Sequence, residues 1–344
     1  MQYIKMFSVV FNIIIRIIFW SVGFLLHLWS ALALYYCSFP SLGRNIRLTA
    51  AVLYIAAVFA FVIFGKKRKF RMFLSLIGFL VAALFFISIK PNPRAAYPQD
   101  LKAAYVEFEW PKITIHDVRD NDYRTSKDFD VRYEARTYDV EEICSLDVFV
   151  NYWGSDIVAH TFLSFGFSDG KFVAVSIEIR PQAGESYCML GGLFKQYELI
   201  YIWSDERDIV RLRTNYRKED VYLYRVKIDR EDIKKLFISM LKRTNSLYNH
   251  PEFYNTLFHS CTNTISSHLN EEAIIKIPFW KRRFLTGDID LRAYKDGRIL
   301  GTNISFAELR EISKINARAI AADKDEGFSE NIRTHLSGCA IGKN

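Results

Sequence analysis

The chain has 344 residues, half of them hydrophobic, with 46 Lys and Arg against 38 Asp and Glu. This length and apolar content exclude a disordered chain and a small disulfide-stapled protein. The net charge of +8 is uneven, because residues 1–94 contain 11 basic residues and no acidic one. Residues 95–344 carry the other 35 basic and all 38 acidic side chains, a net charge of −3, so nucleic acid is not an expected partner.

Three apolar segments occupy residues 17–37, 48–64 and 72–89. Each is close to the roughly 20 residues that a helix needs to cross the hydrocarbon of a bilayer. The loop at 66–71 holds five basic residues and the loop containing Arg44 and Arg47 holds two, which predicts that the former is cytoplasmic. We therefore predict a three-helix membrane anchor at 1–94, a cytoplasmic amino terminus, and one extracytoplasmic domain at 95–344.

The outer domain is predicted to be α+β, because most of its strands precede its helices. Runs of β-forming residues, several of them alternating, predict strands at 113–118, 157–167, 172–180, 198–203, 209–213 and 220–228. Asp169-Gly170 is a hairpin signal between the second and third of these. Helices are predicted after Asp229, over 261–269, and from the capping box of Ser305 and Glu308 through Ala319. The expected architecture is an antiparallel sheet packed on helices.

Five cysteines are present, namely Cys37, Cys144, Cys188, Cys261 and Cys339. Cys37 lies in a predicted span, and Cys144 with Cys188 is one possible disulfide among the outer four. No pair has the CxxC spacing of a zinc or redox site, so no metal and no cofactor is expected.

Cys261 is predicted to begin a helix, with Ser260 as its N-cap. The free amides and the positive dipole end of a helix favour a thiolate there, and the same amides are able to hold an oxyanion. The alternative interpretation is a small buried thiol with a structural role.

His160 lies within an otherwise apolar predicted strand, where it is either a core residue or the base of a site. The hairpin would place Glu178 across from it, so that the carboxylate orients the imidazole. Glu178 instead shares an exposed face with Ser176 and Arg180 if the strand is solvated on that side.

Other polar residues have less specific interpretations. Tyr254 and Asn255 are candidates to line the site or to hold an oxyanion. The charged stretch from Glu198 to Arg217 is mostly a solvated surface by composition. Arg213 within it is the candidate for binding a lipid phosphate.

In this order the base lies on a first strand, its polar partner on the next, and Cys at a later helix start. The order resembles that of a circularly permuted NlpC/P60-type, papain-like domain. The permuted order occurs in lecithin:retinol acyltransferase and its relatives, which transfer acyl chains through a thioester.

A closer resemblance, to the periplasmic domain of Lnb-type bacterial lipoprotein N-acyltransferases, extends over about 115–330. It rests on these motifs: His160-Thr-Phe-Leu-Ser-Phe-Gly-Phe, Val175-Ser-Ile-Glu-Ile-Arg, Gln196-Tyr-Glu-Leu, Asp205-Glu-Arg-Asp, Leu212-Arg-Thr-Asn, Asp220-Val-Tyr-Leu-Tyr, Pro251-Glu-Phe-Tyr-Asn-Thr-Leu and Cys261-Thr.

That resemblance implies a catalytic pair of Cys261 and His160 in a bacterial membrane protein. Ser260 departs from it, since related domains often carry Asn before the Cys. The expected activity is transfer of a fatty acyl chain, from a phospholipid or lipoprotein donor, to the terminal amine of a lipoprotein. Two alternatives remain open: a cysteine peptidase or amidase acting on cell-wall peptides, and a non-enzymatic envelope scaffold.

Overall fold

A computed structural model describes residues 2–37, 43–64, 67–91, 102–152, 159–181, 185, 187–278 and 287–336. These residues divide between two compact units. The first contains residues 1–94 together with Tyr187–Tyr197, a segment that the sequence analysis placed in the outer domain. The second contains the remainder of the outer domain. Cys339 lies outside the described residues.

The first unit is built on α1 (Gln2–Tyr36), α2 (Arg44–Phe64) and α3 (Arg68–Ser88). All three helices are long and apolar enough to cross a membrane. The polar His27 faces the other helices, because its Nδ1 lies 2.8 Å from the Tyr54 hydroxyl and its Nε2 lies 2.5 Å from Ser75 Oγ. Such hydrogen bonds between helices are a common means of joining apolar helices within a membrane.

The strands of the second unit are β1 (Tyr105–Glu109), β2 (Lys112–Arg119), β3 (Asp122–Tyr123), β4 (Phe129–Asp130), β5 (Tyr133–Asp139), β6 (Ile143–Tyr152), β7 (Ala159–Phe167), β8 (Phe172–Arg180), β9 (Glu198–Ser204) and β10 (Asp220–Arg225). Eight of them form one sheet in the order β1-β2-β9-β8-β7-β6-β10, with β5 also paired to β2. Neighbours are antiparallel except at the short β2–β9 contact. β3 and β4 form a separate hairpin.

The helices are α4 (Met189–Leu193) in the first unit and, in the second unit, α5 (Glu206–Arg211), α6 (Arg230–Asn249), α7 (Cys261–Glu271), α8 (Ile289–Lys295), α9 (Phe306–Ser313), α10 (Asn316–Ala322) and α11 (Phe328–Asn331). Both faces of the central strands are covered. Phe237 of α6 packs on Phe165, with ring centroids 4.9 Å apart. A second cluster joins Phe149 and Phe162 to residues of α5, α10 and α11. This double coverage explains why β7 is buried along almost its whole length.

Most predicted elements are confirmed. The hairpin strands, the capping box at Ser305 and the start of a helix at Cys261 are all present. Asp229 occupies the N-cap position of α6, although its side chain makes no capping hydrogen bond.

Three predictions of local structure are wrong. Residues 209–213 are helical, because Asp205 caps α5 by accepting the Arg207 N–H, and a π-helical turn (Leu212–Tyr216) follows. The last predicted helix is interrupted where the Ile315 N–H donates to the Val221 carbonyl of β10, which leaves α9 and α10 as separate helices. Cys144 and Cys188 are free thiols, so the disulfide considered for them is absent.

Arg333 connects the carboxy-terminal part of the second unit to its core. Its guanidinium donates to both carboxylate oxygens of Glu206, at 2.7 and 2.6 Å, and to Asp147 at 2.8 Å. It also lies 3.8 Å from the centroid of the Phe172 ring. All three charged side chains are buried, so each depends on the others for its solvation.

We expect Arg333→Met to lower the free energy of unfolding of the detergent-solubilised protein by about 3–5 kcal/mol, because two buried carboxylates lose a cationic partner. Urea denaturation measures this change. Arg124→Met is the control, since the ion pairs of Arg124 with Asp128 and Asp130 are exposed and its midpoint should be unchanged. Equal midpoints for the two variants would contradict the buried network.

Candidate active site

The β7–β8 hairpin brings His160 and Glu178 together. Gly170 takes a φ of +84° in the turn, a conformation that glycine adopts without strain. The register of this hairpin pairs Leu163 with Val175, and continuing it three residues further sets His160 opposite Glu178. The Nε2 atom of His160 lies 3.1 Å from Oε1 of Glu178.

Ser176 completes the contacts of this ring nitrogen. Its hydroxyl lies 2.8 Å from His160 Nε2 and donates to Glu178 Oε1 at 2.6 Å. Ser176 is fully buried and the His160 side chain is only 11% exposed. These residues therefore do not form the solvated face considered as the alternative for Glu178. With Nε2 occupied, Nδ1 is the ring nitrogen left for proton exchange.

Arg213 lies behind Glu178 rather than in solvent. Its guanidinium donates to Glu178 Oε1 at 2.7 Å, to Asn151 Oδ1 at 3.0 Å and to the Ile209 carbonyl at 2.9 Å. It also lies over the Phe162 ring, 4.9 Å from the centroid. A buried guanidinium with these partners is not placed to bind a lipid phosphate, so that expectation is replaced by a role in holding Glu178.

Cys261 is the first residue of α7. The Ser260 side chain caps this helix by accepting the Asn263 N–H at 3.4 Å. The first amides of a helix have no partner within it, so the N–H groups at this end are directed to where an anion would bind. The Cys261 side chain is buried, with 9% exposure, and interacts with the imidazole of His160 and with the backbone N–H of Thr161.

The electrostatics of the pair favour its charge-separated form. Burial opposes protonation of His160, but the negative charges of Glu178 and Cys261 outweigh it and raise the pKa of His160 to about 9. Burial also opposes ionisation of Cys261, yet the charge and hydrogen bond of His160 hold the pKa of the thiol below its ordinary value. The pKa of the Glu178 carboxyl is lowered well below normal, since His160 and Arg213 outweigh its burial.

The two other predicted residues lie in the turn before α7. Asn255 closes that turn, because its side-chain oxygen accepts the N–H groups of Leu257 at 3.0 Å and Phe258 at 3.2 Å. Tyr254 is buried. Asn255 therefore stabilises the turn that leads to Ser260, and its side-chain oxygen is already used in hydrogen bonds within that turn.

Ser176 and Asn151 are polar neighbours of the site that were not predicted as site residues. Asn151 lies on β6, where it pairs directly with His160. The strand itself was not predicted, which hid this residue. Ser176 lies two residues before Glu178 on the same face of β8, and this spacing is the sequence signal that could have identified it as a site residue. Among the described residues, no group of three or more His, Cys, Asp and Glu side chains is placed to hold a metal ion.

Residues 129–295 match the Lnb N-terminal periplasmic domain. This part of the chain is therefore similar to the Lnb-type family. The matched segment contains His160, Glu178, Arg213 and Cys261. No curated protein and no solved structure matches the chain. The predicted relation to permuted NlpC/P60 domains stays a prediction.

We expect His160→Ala to move the alkylation of Cys261 to higher pH, because the imidazolium lowers the pKa of the thiol and burial alone raises it. The measurement is the rate of iodoacetamide labelling at each pH, followed on the Cys261 peptide by mass spectrometry. Cys144 in the same samples is the internal control, since burial is the largest cause of its raised pKa and His160 is not among the groups that shift it. An unchanged Cys261 profile would show that the two side chains do not interact.

Proposed function

We propose that this protein is a membrane-anchored thiol acyltransferase that moves a fatty acyl chain through a Cys261 thioester to the amino-terminal amine of a bacterial lipoprotein. The observation that carries the proposal is the imidazole of His160, which interacts with a thiol at a helix start on one side and a partly buried carboxylate on the other. The match of residues 129–295 to the Lnb N-terminal periplasmic domain supports it.

In the first half-reaction the Cys261 thiolate attacks the ester carbonyl carbon of a lipid. The C–S bond forms as the carbonyl oxygen becomes an oxyanion, which the amides at the start of α7 stabilise. When the C–O bond breaks, the leaving alkoxide takes the proton of the His160 imidazolium. The products are a free alcohol, an S-acyl enzyme and a neutral imidazole.

In the second half-reaction the lipoprotein amine attacks the thioester carbonyl. Neutral His160 accepts the proton that the amine loses as the C–N bond forms. Sulfur then leaves as a thiolate, which the new imidazolium stabilises. The enzyme is restored to its starting charge state, and no cofactor enters the cycle.

The apolar helices attach the proposed enzyme to the membrane that holds its substrates. We propose that α1, α2 and α3 cross a bacterial inner membrane with the amino terminus in the cytoplasm and the Lnb domain in the periplasm. Both substrates are held in the bilayer by acyl chains, so a membrane tether raises their concentration near the enzyme. The proposed partners are a phospholipid or lipoprotein as acyl donor and a lipoprotein as acceptor.

We expect an acyl mass to appear on the purified protein after incubation with phospholipid or with diacylated lipoprotein, and hydroxylamine to remove it. Cys261→Ser should abolish this hydroxylamine-labile adduct, because the thioester then has no sulfur. Cys144→Ser is the matched control, since it removes another free thiol and should leave the adduct unchanged. Intact-mass spectrometry measures all of these species.

Discharge of the adduct separates the proposed function from its alternatives. A lipoprotein amine should remove the acyl group faster than water does. Peptide cleavage that requires Cys261, without any lipid adduct, would instead support the peptidase or amidase. Loss of function in Cys261→Ser and His160→Ala, with folding and membrane insertion preserved, would exclude the non-enzymatic scaffold.

We expect the alkaline limb of the rate of acyl-enzyme formation to lie near pH 9, where the imidazolium of His160 loses its proton. Glu178→Gln should move this limb to lower pH, because burial then acts on His160 without the carboxylate that offsets it. Ser176→Ala removes a hydrogen bond but no charge, so its limb should stay close to that of the wild type. Identical profiles for Glu178→Gln and the wild type would refute this role for the carboxylate.

A further inference from the structure

Residues 187–197 connect β8 to β9 but belong to the unit of the apolar helices. We propose that this segment is an interfacial membrane-binding element, which inserts the side chains of Tyr187, Met189 and Leu190 among the lipid acyl chains on the periplasmic side.

The segment is a compact, closed loop. The Tyr197 hydroxyl accepts the Cys188 N–H at 2.8 Å and so ties the two ends of the loop together. Between them, the Gly191 carbonyl accepts the N–H groups of Phe194 at 3.0 Å and Gln196 at 3.2 Å. Gly191 also permits a close approach, because a Cβ atom there would lie 1.9 Å from Oε1 of Gln196. The loop therefore presents its side chains from a fixed backbone.

Its inner side packs on the ends of two apolar helices. The Phe194 ring lies 6.2 Å from those of Trp29 and Tyr36 in α1 and 6.3 Å from that of Phe86 in α3. Lys195 donates to the carbonyls of Phe86 at 2.8 Å and Ile89 at 3.3 Å. These carbonyls are at the carboxy end of α3, which a cation stabilises.

These contacts determine how deep the loop lies in the proposed bilayer. The carboxy ends of α1 and α3 are where both candidate spans stop, and the chain continues from α3 towards the periplasmic domain. Trp and Tyr side chains concentrate at this level of membrane proteins, where rings meet both lipid and water. The loop thus occupies the boundary between hydrocarbon and headgroups.

Its outer side is apolar and exposed. Tyr187, Met189 and Leu190 are 51%, 59% and 43% exposed. The same unit exposes Leu80, Leu84 and Ile87 along α3. The exposed surface of the loop is therefore apolar in the same way as the lipid-facing side of a membrane-spanning helix. Lipid is the occupant that both surfaces require, because a membrane surrounds the helices to which the loop is bound.

The test uses the full-length protein in nanodiscs of phosphatidylcholine and phosphatidylglycerol, with a tryptophan added at one position. Brominated acyl chains quench tryptophan that contacts lipid. We expect the emission added by Leu190→Trp to be lost when the bromine lies near the headgroup and largely kept when it lies near the chain end. Leu53→Trp, at the middle of α2, should show the reverse order. Lys127→Trp, in the polar loop between β3 and β4, should keep its emission with both lipids.

Two outcomes would overturn the proposal. Quenching of Leu190→Trp by aqueous acrylamide alone would place the loop in water. Protection from both acrylamide and bromine would show that a protein partner, such as a second copy of the chain, covers this surface. Met189→Trp repeats the measurement at the neighbouring exposed position, so one poorly tolerated substitution cannot decide the result. Since the test requires no turnover, it is independent of whether acyl transfer is the activity.

Discussion

The ion pair between the buried Arg213 and the partly buried Glu178 is the constraint on which the candidate site depends. A carboxylate beside an imidazole in a protein interior is costly unless a cation and hydrogen bonds compensate it. Arg213 and Ser176 supply that compensation, at 2.7 and 2.6 Å from the same oxygen. Arg213 is in turn held by Asn151 of β6 and by the Ile209 carbonyl of α5. The protonation of His160 is therefore set by residues from β6, β8 and the helical turn after α5.

The connection between β8 and β9 also links the candidate site to the unit of the apolar helices along the chain. Glu178 and Ser176 lie on β8, and the chain then runs through residues 187–197 of the membrane unit before it returns as β9. The two units are thus joined by three chain connections, one after Arg94 and one at each end of this segment. A strand that carries the partner of the base is consequently followed, within a few residues, by the proposed interfacial loop.

Local signals were sufficient for part of this structure. The Asp169-Gly170 turn and the alternation on both sides of it fix the register of His160 and Glu178, because hairpin register follows from turn geometry. Ser260 was sufficient to predict the start of α7. In contrast, apolar and polar residues do not alternate regularly along β6, so that strand has no clear sequence signal. Residues 209–213 are a short apolar run that fits a strand as well as a helix. Those two errors concealed Asn151 and the true role of Arg213.

The segment 187–197 could not be predicted for a different reason. Its sequence is too short and too rich in glycine to resemble a span, and its placement is decided by Phe194 and Lys195, whose partners lie more than 100 positions earlier in the chain. Tertiary contacts of this kind leave no periodic pattern in the local sequence.

The charges of the site form an alternating series, with Arg213 positive, Glu178 negative, His160 positive and Cys261 negative in the charge-separated state. In a poorly solvated interior such a series is favourable, because each charge has an opposite neighbour and the set is neutral as a whole. In the proposed cycle, a proton moves from His160 to a leaving alkoxide and later returns from an amine, and Arg213 and Glu178 stay paired throughout. In both proposed half-reactions the ion pair keeps the imidazole basic, while the helix start at Cys261 stabilises the sulfur and the oxyanion in turn.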